Sequence, residues 1–331
     1  MGRRLERKRH DNNNQVAVLL KESETRTLIP AEIEIIRQSY TGYGGLYDTF
    51  GQFFTPPIVT RFVMNLLGIT SGLVLETSCG AGAFLEVLPP ACQVEAFELM
   101  QEASTVAKLL YPAAKITRDN TLTHLHELEG RFDFVIGNPP FCDIPKYDDY
   151  SGFTIAKKGK NRAEWYFLEL GLRALKPGGV MAFVLPDGIL SNSKEKILRQ
   201  WIMEEMAWVR GVFSIPMETF KLTGTTVKTS VLVLQKKIPG VDLGDYPIMM
   251  AICEQIGWDS RGRETGKCDL PGILNHWQEM YPNGLPTAEQ LIGTETSVSV
   301  AVEQEQQEPI TVVPHQAAAD NHRWGQMAFG F

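Results

Sequence analysis

The sequence predicts an α/β protein built on a doubly wound, mostly parallel sheet. Three observations predict it. Short apolar runs recur at intervals that leave room for a helix between them, glycine-bearing turns close several of these runs, and polar motifs gather at their carboxyl ends. In such sheets ligands bind beyond those ends, near the point where the strand order reverses.

The elements follow in order. Residues 1–29 read as a flexible arm, with a basic, Asn-rich opening over 1–13. From Pro30, AEIEIIRQSY suits a short helix, and YTGYGG then marks a glycine-broken loop. PPIVTRFVMNLL places Ile58, Phe62, Val63, Leu66 and Leu67 on one helical face, with proline at its start. LVLET (73–77) predicts the first strand, closed by the turn CGAGAF and followed by a helical stretch. VEAFE (94–98), KITR (115–118) and FDFVIG (132–137) are the next three strands, with a helix starting near Glu102. A helix around 163–175 and a turn at Lys176–Gly179 precede the fifth strand, VMAFVLP (180–186). A helix over Lys194–Met206 leads to the last two, AWVRGVF (207–213) and TSVLVLQKK (229–237). This division gives a main domain over 30–237 and a small accessory strand, loop and helix over 238–292. The tail, 293–331, is rich in Glu, Gln, Ser and Thr and is expected to be loosely ordered.

Composition excludes several classes. A hydrophobic fraction of 44% and a charged fraction of 21% are ordinary for a globular protein. No apolar run approaches the roughly 18–20 residues a membrane span needs, and no apolar segment follows the charged N-terminus, so a cytoplasmic protein is expected. The five cysteines form no CxxC pair, and His124 and His126 lack partners at metal spacing. Both histidines read as solvated or packed side chains, and no metal is expected. A formal net charge of −7 argues against coating nucleic acid through the average field.

The turn Glu76-Thr77-Ser78-Cys79-Gly80-Ala81-Gly82 lets the backbone approach a ligand closely, and the expected helix after it would offer unpaired amides. Leu85 stands where a third glycine would complete a dinucleotide fingerprint, and no Lys-Ser/Thr completes a phosphate loop. A ligand without phosphates fits better. Glu98, about 20 residues after the turn, can accept hydrogen bonds from both ribose hydroxyls of a nucleoside. Asp119, after the third strand, can accept from an adenine amino group.

The decisive motif is Asn138-Pro139-Pro140-Phe141, closing the fourth strand. An exocyclic amine on a base is a poor nucleophile because its lone pair is delocalised into the ring. Two acceptors that take its hydrogens draw the nitrogen towards tetrahedral geometry, and the Asn138 side-chain oxygen and Pro139 carbonyl can serve. Prolines 139 and 140 stiffen the corner so the acceptors stay aimed. Phe141 offers a flat face for an extruded base, worth roughly 1–3 kcal/mol of stacking.

GQFFTP (51–56), LETSCGAGAFL (75–85), Glu98, Asp119, GNPPF (137–141) and LKPGGVMAFVLPDGIL (175–190) occur in the order used by gamma-class amino-methyltransferases. Over residues 30–237, and in the piece GWDSRGRETGKCDLPGI (257–273), the chain resembles N6-adenine DNA methyltransferases of the type I modification-subunit kind. YTGYGGLYDTFGQFFTP also resembles methyltransferase modules of large mobile-element proteins. The resemblance implies a Rossmann-like class I methyltransferase fold with an antiparallel final strand, S-adenosyl-L-methionine as cofactor, and adenine in DNA as substrate. It implies Phe54, Thr55 and Pro56 at the methionine end of the cofactor and Glu76, Cys79, Gly80 and Gly82 lining it, with Glu98 on the ribose and Asp119 on the adenine. Asn138, Pro139, Pro140 and Phe141 would be catalytic. One departure stands out: the family turn opens Asp-Pro-x-Cys-Gly, and here it reads Glu-Thr-Ser-Cys-Gly.

Lys157, Lys158, Lys160 and Arg162, just after the catalytic corner, are candidates for the phosphate backbone, as is the N-terminal arm. Fewer than about a hundred residues follow Lys237, too few for a target-recognition domain of usual size, so a separate specificity subunit or short local recognition is expected. Two other functions fit the same sequence. One is methylation of RNA or of a protein glutamine, and the other is a catalytically silent methyltransferase fold acting as a binding module.

Overall fold

The computed structural model describes residues 14–40, 54–159, 161–223 and 227–293. Strands β1 (Gly72–Glu76), β2 (Cys92–Phe97), β3 (Lys115–Thr117), β4 (Phe132–Gly137), β5 (Leu175–Pro186), β6 (Ala207–Ile215), β7 (Thr229–Lys236) and β8 (Met249–Ile252) form one sheet. Their order is β3-β2-β1-β4-β5-β7-β6-β8. All neighbours run parallel except β7, which is antiparallel to both β5 and β6. The order reverses between β1 and β4, so the crevice that such a sheet offers to ligands lies at their carboxyl ends.

Both faces of the sheet are covered. Along β5, Met181, Phe183 and Leu185 join one apolar cluster while Val180, Ala182 and Val184 join another. That alternation is the two-residue period of a strand read on two faces, each with its own core. On the first face lies α6 (Ala163–Ala174), supplying Phe167, Leu168, Leu170 and Leu172. On the second lies α3 (Pro57–Leu67), whose Val59, Phe62, Val63, Leu66 and Leu67 are buried. Proline occupies the first turn of α3, and Gly68 ends it in the left-handed conformation at φ 60°.

Four features differ from the sequence expectation. The arm is structured in part: residues 14–23 form α1, and its Val16 and Leu20 are buried with Ile36 of α2 (Pro30–Ser39) and Val106 of α4 (Gln101–Leu110). An apolar stripe within this segment pulls it onto the body. The basic opening, 1–13, and the tail, 294–331, lie outside the described residues.

The helix expected after the glycine turn is a single 3-10 turn, Leu85–Val87. Pro89 and Pro90 follow it, and a residue before proline is driven to extended backbone, as Leu88 shows at ψ 136°. The Lys176–Gly179 turn does not precede β5 but bulges within it: Phe132 pairs with Leu175, and pairing resumes at Phe134 with Val180.

Finally, the polar loop expected within 238–292 is a hairpin of β9 (Ile256–Trp258) and β10 (Glu264–Cys268). The segment also adds more than an accessory. β8 pairs along β6 from Gly211 to Ser214, and α9 (Leu270–Met280) enters the core. Trp277 of α9 is buried against Phe213 at 5.5 Å, and its indole nitrogen donates to the Leu66 carbonyl at 2.8 Å.

One buried carboxylate holds the loop downstream of the fourth strand. α5 (Leu125–Leu128) packs against α6 in the same layer. Glu169 of α6 accepts from the Thr154 amide at 2.8 Å, the Thr154 hydroxyl at 2.9 Å and the Ala156 amide at 2.8 Å. Glu169→Ala strands these donors in an apolar layer. It should cost about 3 kcal/mol of stability, read as a lower urea midpoint with an unchanged slope.

Candidate active site

Two adjoining cavities open at the ends of β1, β2, β3 and β4. The smaller is lined by Phe54, Thr55, Ser78, Cys79, Gly80, Ala83, Phe84, Glu98, Asn138 and Pro140. The larger, about 670 Å³, takes Glu98, Ser78 and Pro140 as its share of the common wall. It continues over Leu99, Asp119 and Asn120 to the loop that carries Ile144, Tyr147 and Asp148.

Glu98 organises the junction. Its carboxylate accepts from the Gly80 amide at 2.8 Å and the Met100 amide at 2.7 Å, and the residue is buried. The glycine turn is therefore held by a carboxylate from β2, not by a helix. Its amides are engaged: Cys79 donates to Phe97, Gly82 to Cys79, and Ser78 to Glu76 Oε1 at 3.3 Å. Gly80 at φ 55° and Gly82 at φ 97° both require glycine. A Cβ on Gly82 would also sit 2.6 Å from Tyr111 Cδ2.

Behind the turn lies Glu76, with no exposed surface. Its Oε2 has no hydrogen-bond partner among the described residues, and neither has the Thr77 hydroxyl. Burial pushes the Glu76 carboxyl well above the usual range, and the nearby Glu98 charge adds to this. A raised carboxyl holds its proton in the folded chain after the unfolded chain has lost it. Its presence therefore costs stability as pH rises above the ordinary carboxyl value near 4.5. Glu76→Gln should raise the melting temperature at pH 8 more than at pH 5, in paired thermal melts.

The fourth strand ends at the corner. Gly137 has no room for a side chain, since a Cβ there would lie 2.8 Å from Thr77 Oγ1 and 3.1 Å from Glu76 Oε1. The corner is thereby seated flush on the glycine turn, and Ser78 Oγ donates to the Asn138 carbonyl at 3.3 Å. Asn138 forms part of the smaller cavity's wall, with its side-chain oxygen buried there. The turn's departure from the family pattern is accommodated: the Thr77 carbonyl accepts from Thr121 Oγ1 at 2.5 Å.

Of the residues singled out from sequence, Phe54, Thr55, Cys79, Gly80, Glu98, Asn138 and Pro140 meet at the smaller cavity, and Asp119 at the larger. Glu76 and Gly82 lie beneath the turn, while Pro56 caps α3. Pro139 is buried, and Phe141 is half-buried; neither lines these two cavities. The basic patch is placed elsewhere. Lys157 donates to the Ser151 carbonyl at 2.7 Å, and Arg162 pairs with buried Glu164 at 2.6 Å. Lys158 borders a separate cavity with Glu204 and Glu205, and Lys160 is outside the described residues. Long side chains on a loop satisfy nearby acceptors first, and sequence spacing does not reveal those acceptors.

Sequence reasoning missed the loop over the larger cavity. Asn120 Nδ2 donates to Asp148 Oδ2 at 2.6 Å and to the Tyr150 hydroxyl at 3.0 Å, fixing that loop to the end of β3. The signal available was adjacency alone: Asn120 follows Asp119, and Asp148 follows the corner by ten residues. Among the described residues no group of His, Cys, Asp and Glu has the arrangement of a metal site. No helix among them is long and apolar enough to cross a membrane.

Comparison with known proteins agrees with this geometry. Residues 105–245 match the family model described as N-6 DNA Methylase. The chain is 28% identical over 240 residues to the defense against restriction protein B of Escherichia phage P1, covering 71% of this chain and 10% of that protein. It is 24% identical over 220 residues to the type I restriction enzyme EcoEI methylase subunit of Escherichia coli, covering 59% of this chain and 44% of that one. The chain thus spans less than half the length of these relatives. Among solved structures, a candidate class I S-adenosylmethionine-dependent methyltransferase from Listeria monocytogenes superposes with a TM-score of 0.57 at 18% identity. That match covers 75% of this chain and 79% of the other. Residues 105–245 are thus similar to the N-6 DNA methylase family, and the chain has the class I methyltransferase fold.

Proposed function

We propose that the chain transfers a methyl group from S-adenosyl-L-methionine to the N6 amino group of adenine in DNA. The observation that carries this reading is the placement of the Asn138–Pro140 corner on the wall between a nucleoside-sized cavity and a small one beside the glycine turn. The lining chemistry fits the cofactor. Among the described residues, neither cavity is lined by Lys, Arg or His, while Glu98, Asp119, Asp143 and Asp148 all face the larger one. An anionic, phosphate-free wall suits a nucleoside with a cationic substituent and disfavours a nucleotide. Glu98 would hold the ribose, Asp119 the adenine, and Phe54, Thr55, Cys79 and Gly80 the amino-acid end. When bound, the cofactor supplies an electrophilic methyl group on a sulfonium.

The chain's own part is positioning and activation. Asn138 Oδ1 and the Pro139 carbonyl would accept the two hydrogens of the target amine, localising its lone pair on nitrogen. Phe141, half-buried and outside both cavities, is available to the face of an extruded base. Of the basic patch, Lys157 and Lys158 are exposed and remain for the phosphate backbone; Arg162 is engaged by Glu164.

The test supplies methyl-labelled cofactor to the purified chain with duplex DNA, RNA and protein in parallel, followed by nucleoside analysis. N6-methyladenine in the DNA arm is expected. Label confined to RNA or to protein glutamine overturns the substrate, and absence of cofactor binding by calorimetry overturns the enzyme reading.

A further inference from the structure

We propose that His124 is a positioning residue for nucleoside binding, holding the Asp119 carboxylate at the wall of the larger cavity. The inference rests on the reading of that cavity as the cofactor's nucleoside site. Asp119 follows β3 in a loop, with its side chain 53% exposed, so its direction must be fixed by neighbours. Two contacts fix it. The Asn120 amide donates to Oδ1 at 2.8 Å, and His124 Nε2 lies 3.0 Å from Oδ2.

The other ring nitrogen, Nδ1, lies 3.1 Å from Glu127 Oε2. A neutral imidazole carries one N–H and can donate to one carboxylate; an imidazolium carries two and can donate to both. A ring placed between two carboxylates therefore asks for the charged form. The ring also rests on Phe97, with centroids 5.0 Å apart, so it cannot swing away without losing that contact. Phe97 immediately precedes Glu98, which ties the clamp to the ribose-side carboxylate through the backbone.

The titration follows from these groups. Partial burial lowers the His124 value, but the hydrogen bonds and charges of Asp119 and Glu127 outweigh it, and the net direction is up from 6.5. Asp119 is lowered from 3.8: burial opposes the shift, and His124, the Asn120 amide and Arg118 outweigh that opposition. The clamp is thus complete at pH below the raised histidine value. It is lost as pH rises through the raised histidine value, where the single remaining N–H is divided between Asp119 and Glu127.

The experiment is calorimetric titration of the full chain with S-adenosylhomocysteine from pH 6 to pH 9, for wild type, His124→Ala and Glu127→Gln. Wild-type affinity should fall about two- to fivefold as pH rises through the His124 midpoint, the scale of one partly exposed charge pair. His124→Ala should bind at the weak level throughout, with the histidine-dependent step gone. Glu127→Gln, which leaves the neutral ring's single N–H to Asp119, should shrink the step and move its midpoint to lower pH. Histidine NMR provides a readout apart from binding: the His124 midpoint should lie above 6.5 and drop in Asp119→Asn. His124→Ala matching wild type in affinity and pH profile overturns the positioning role alone. Wild type that binds no S-adenosylhomocysteine at any pH overturns the cofactor reading beneath it.

Discussion

Asn138→Ala is expected to lower methyl transfer by at least about 100-fold, while S-adenosylhomocysteine affinity stays within about threefold. The asymmetry follows from what the side chain does. Alanine keeps the backbone carbonyl that accepts from Ser78 Oγ, so the corner stays attached to the glycine turn. Pro139 and Pro140 keep it stiff. What disappears is one of the two acceptors that draw on the amine as its nitrogen becomes nucleophilic, an interaction stronger in the transition state than in the ground state. The loss should therefore appear in kcat more than in KM. Single-turnover rates with labelled cofactor measure it, and near-wild-type turnover would remove Asn138 from catalysis.

Glu98→Ala should act earlier, on binding. The carboxylate does two jobs at once: it would take the ribose hydroxyls, and it holds the Gly80 and Met100 amides. Each hydrogen bond from a ribose hydroxyl to this carboxylate would be worth about 1.5–3 kcal/mol, so losing both weakens S-adenosylhomocysteine binding by about 100-fold or more. A fall in melting temperature should accompany it, because the turn loses its anchor. Glu98→Gln retains one acceptor and should fall between the two in calorimetric titration. Wild-type affinity in Glu98→Ala would place the nucleoside elsewhere.

Most strands and their ends were legible because the central strands are buried on both faces. β5 is buried from Val180 to Leu185 and reads there as an unbroken apolar run. The polar residues that stop such runs, Glu98 after β2 and Asn138 after β4, then fall at the crevice by topology alone. The hairpin of β9 and β10 was not legible because β10 is largely exposed and its Glu-Thr-Gly-Lys carries no apolar alternation. The helix expected after the glycine turn failed on a local rule present in the sequence, the Pro89-Pro90 pair. Contacts fixed by three distant residues, such as Asn120 with Asp148 and Tyr150, leave no periodic trace. His124 belongs with these: its role depends on two carboxylates converging from different directions on one ring.

The sequence places the end of the methyltransferase portion near Lys237, but the way α9 and β8 pack sets a different limit for anyone moving this portion into another protein. A chain cut there would bare the β6 edge from Gly211 to Ser214 and leave Phe213 and Leu66 without the indole of Trp277. Open strand edges beside apolar surface seek other chains. The smallest transplantable unit therefore reaches Leu291, which is buried with Trp208 and Ile238, and the shorter graft should be recovered as aggregate where the longer one stays monodisperse on size exclusion.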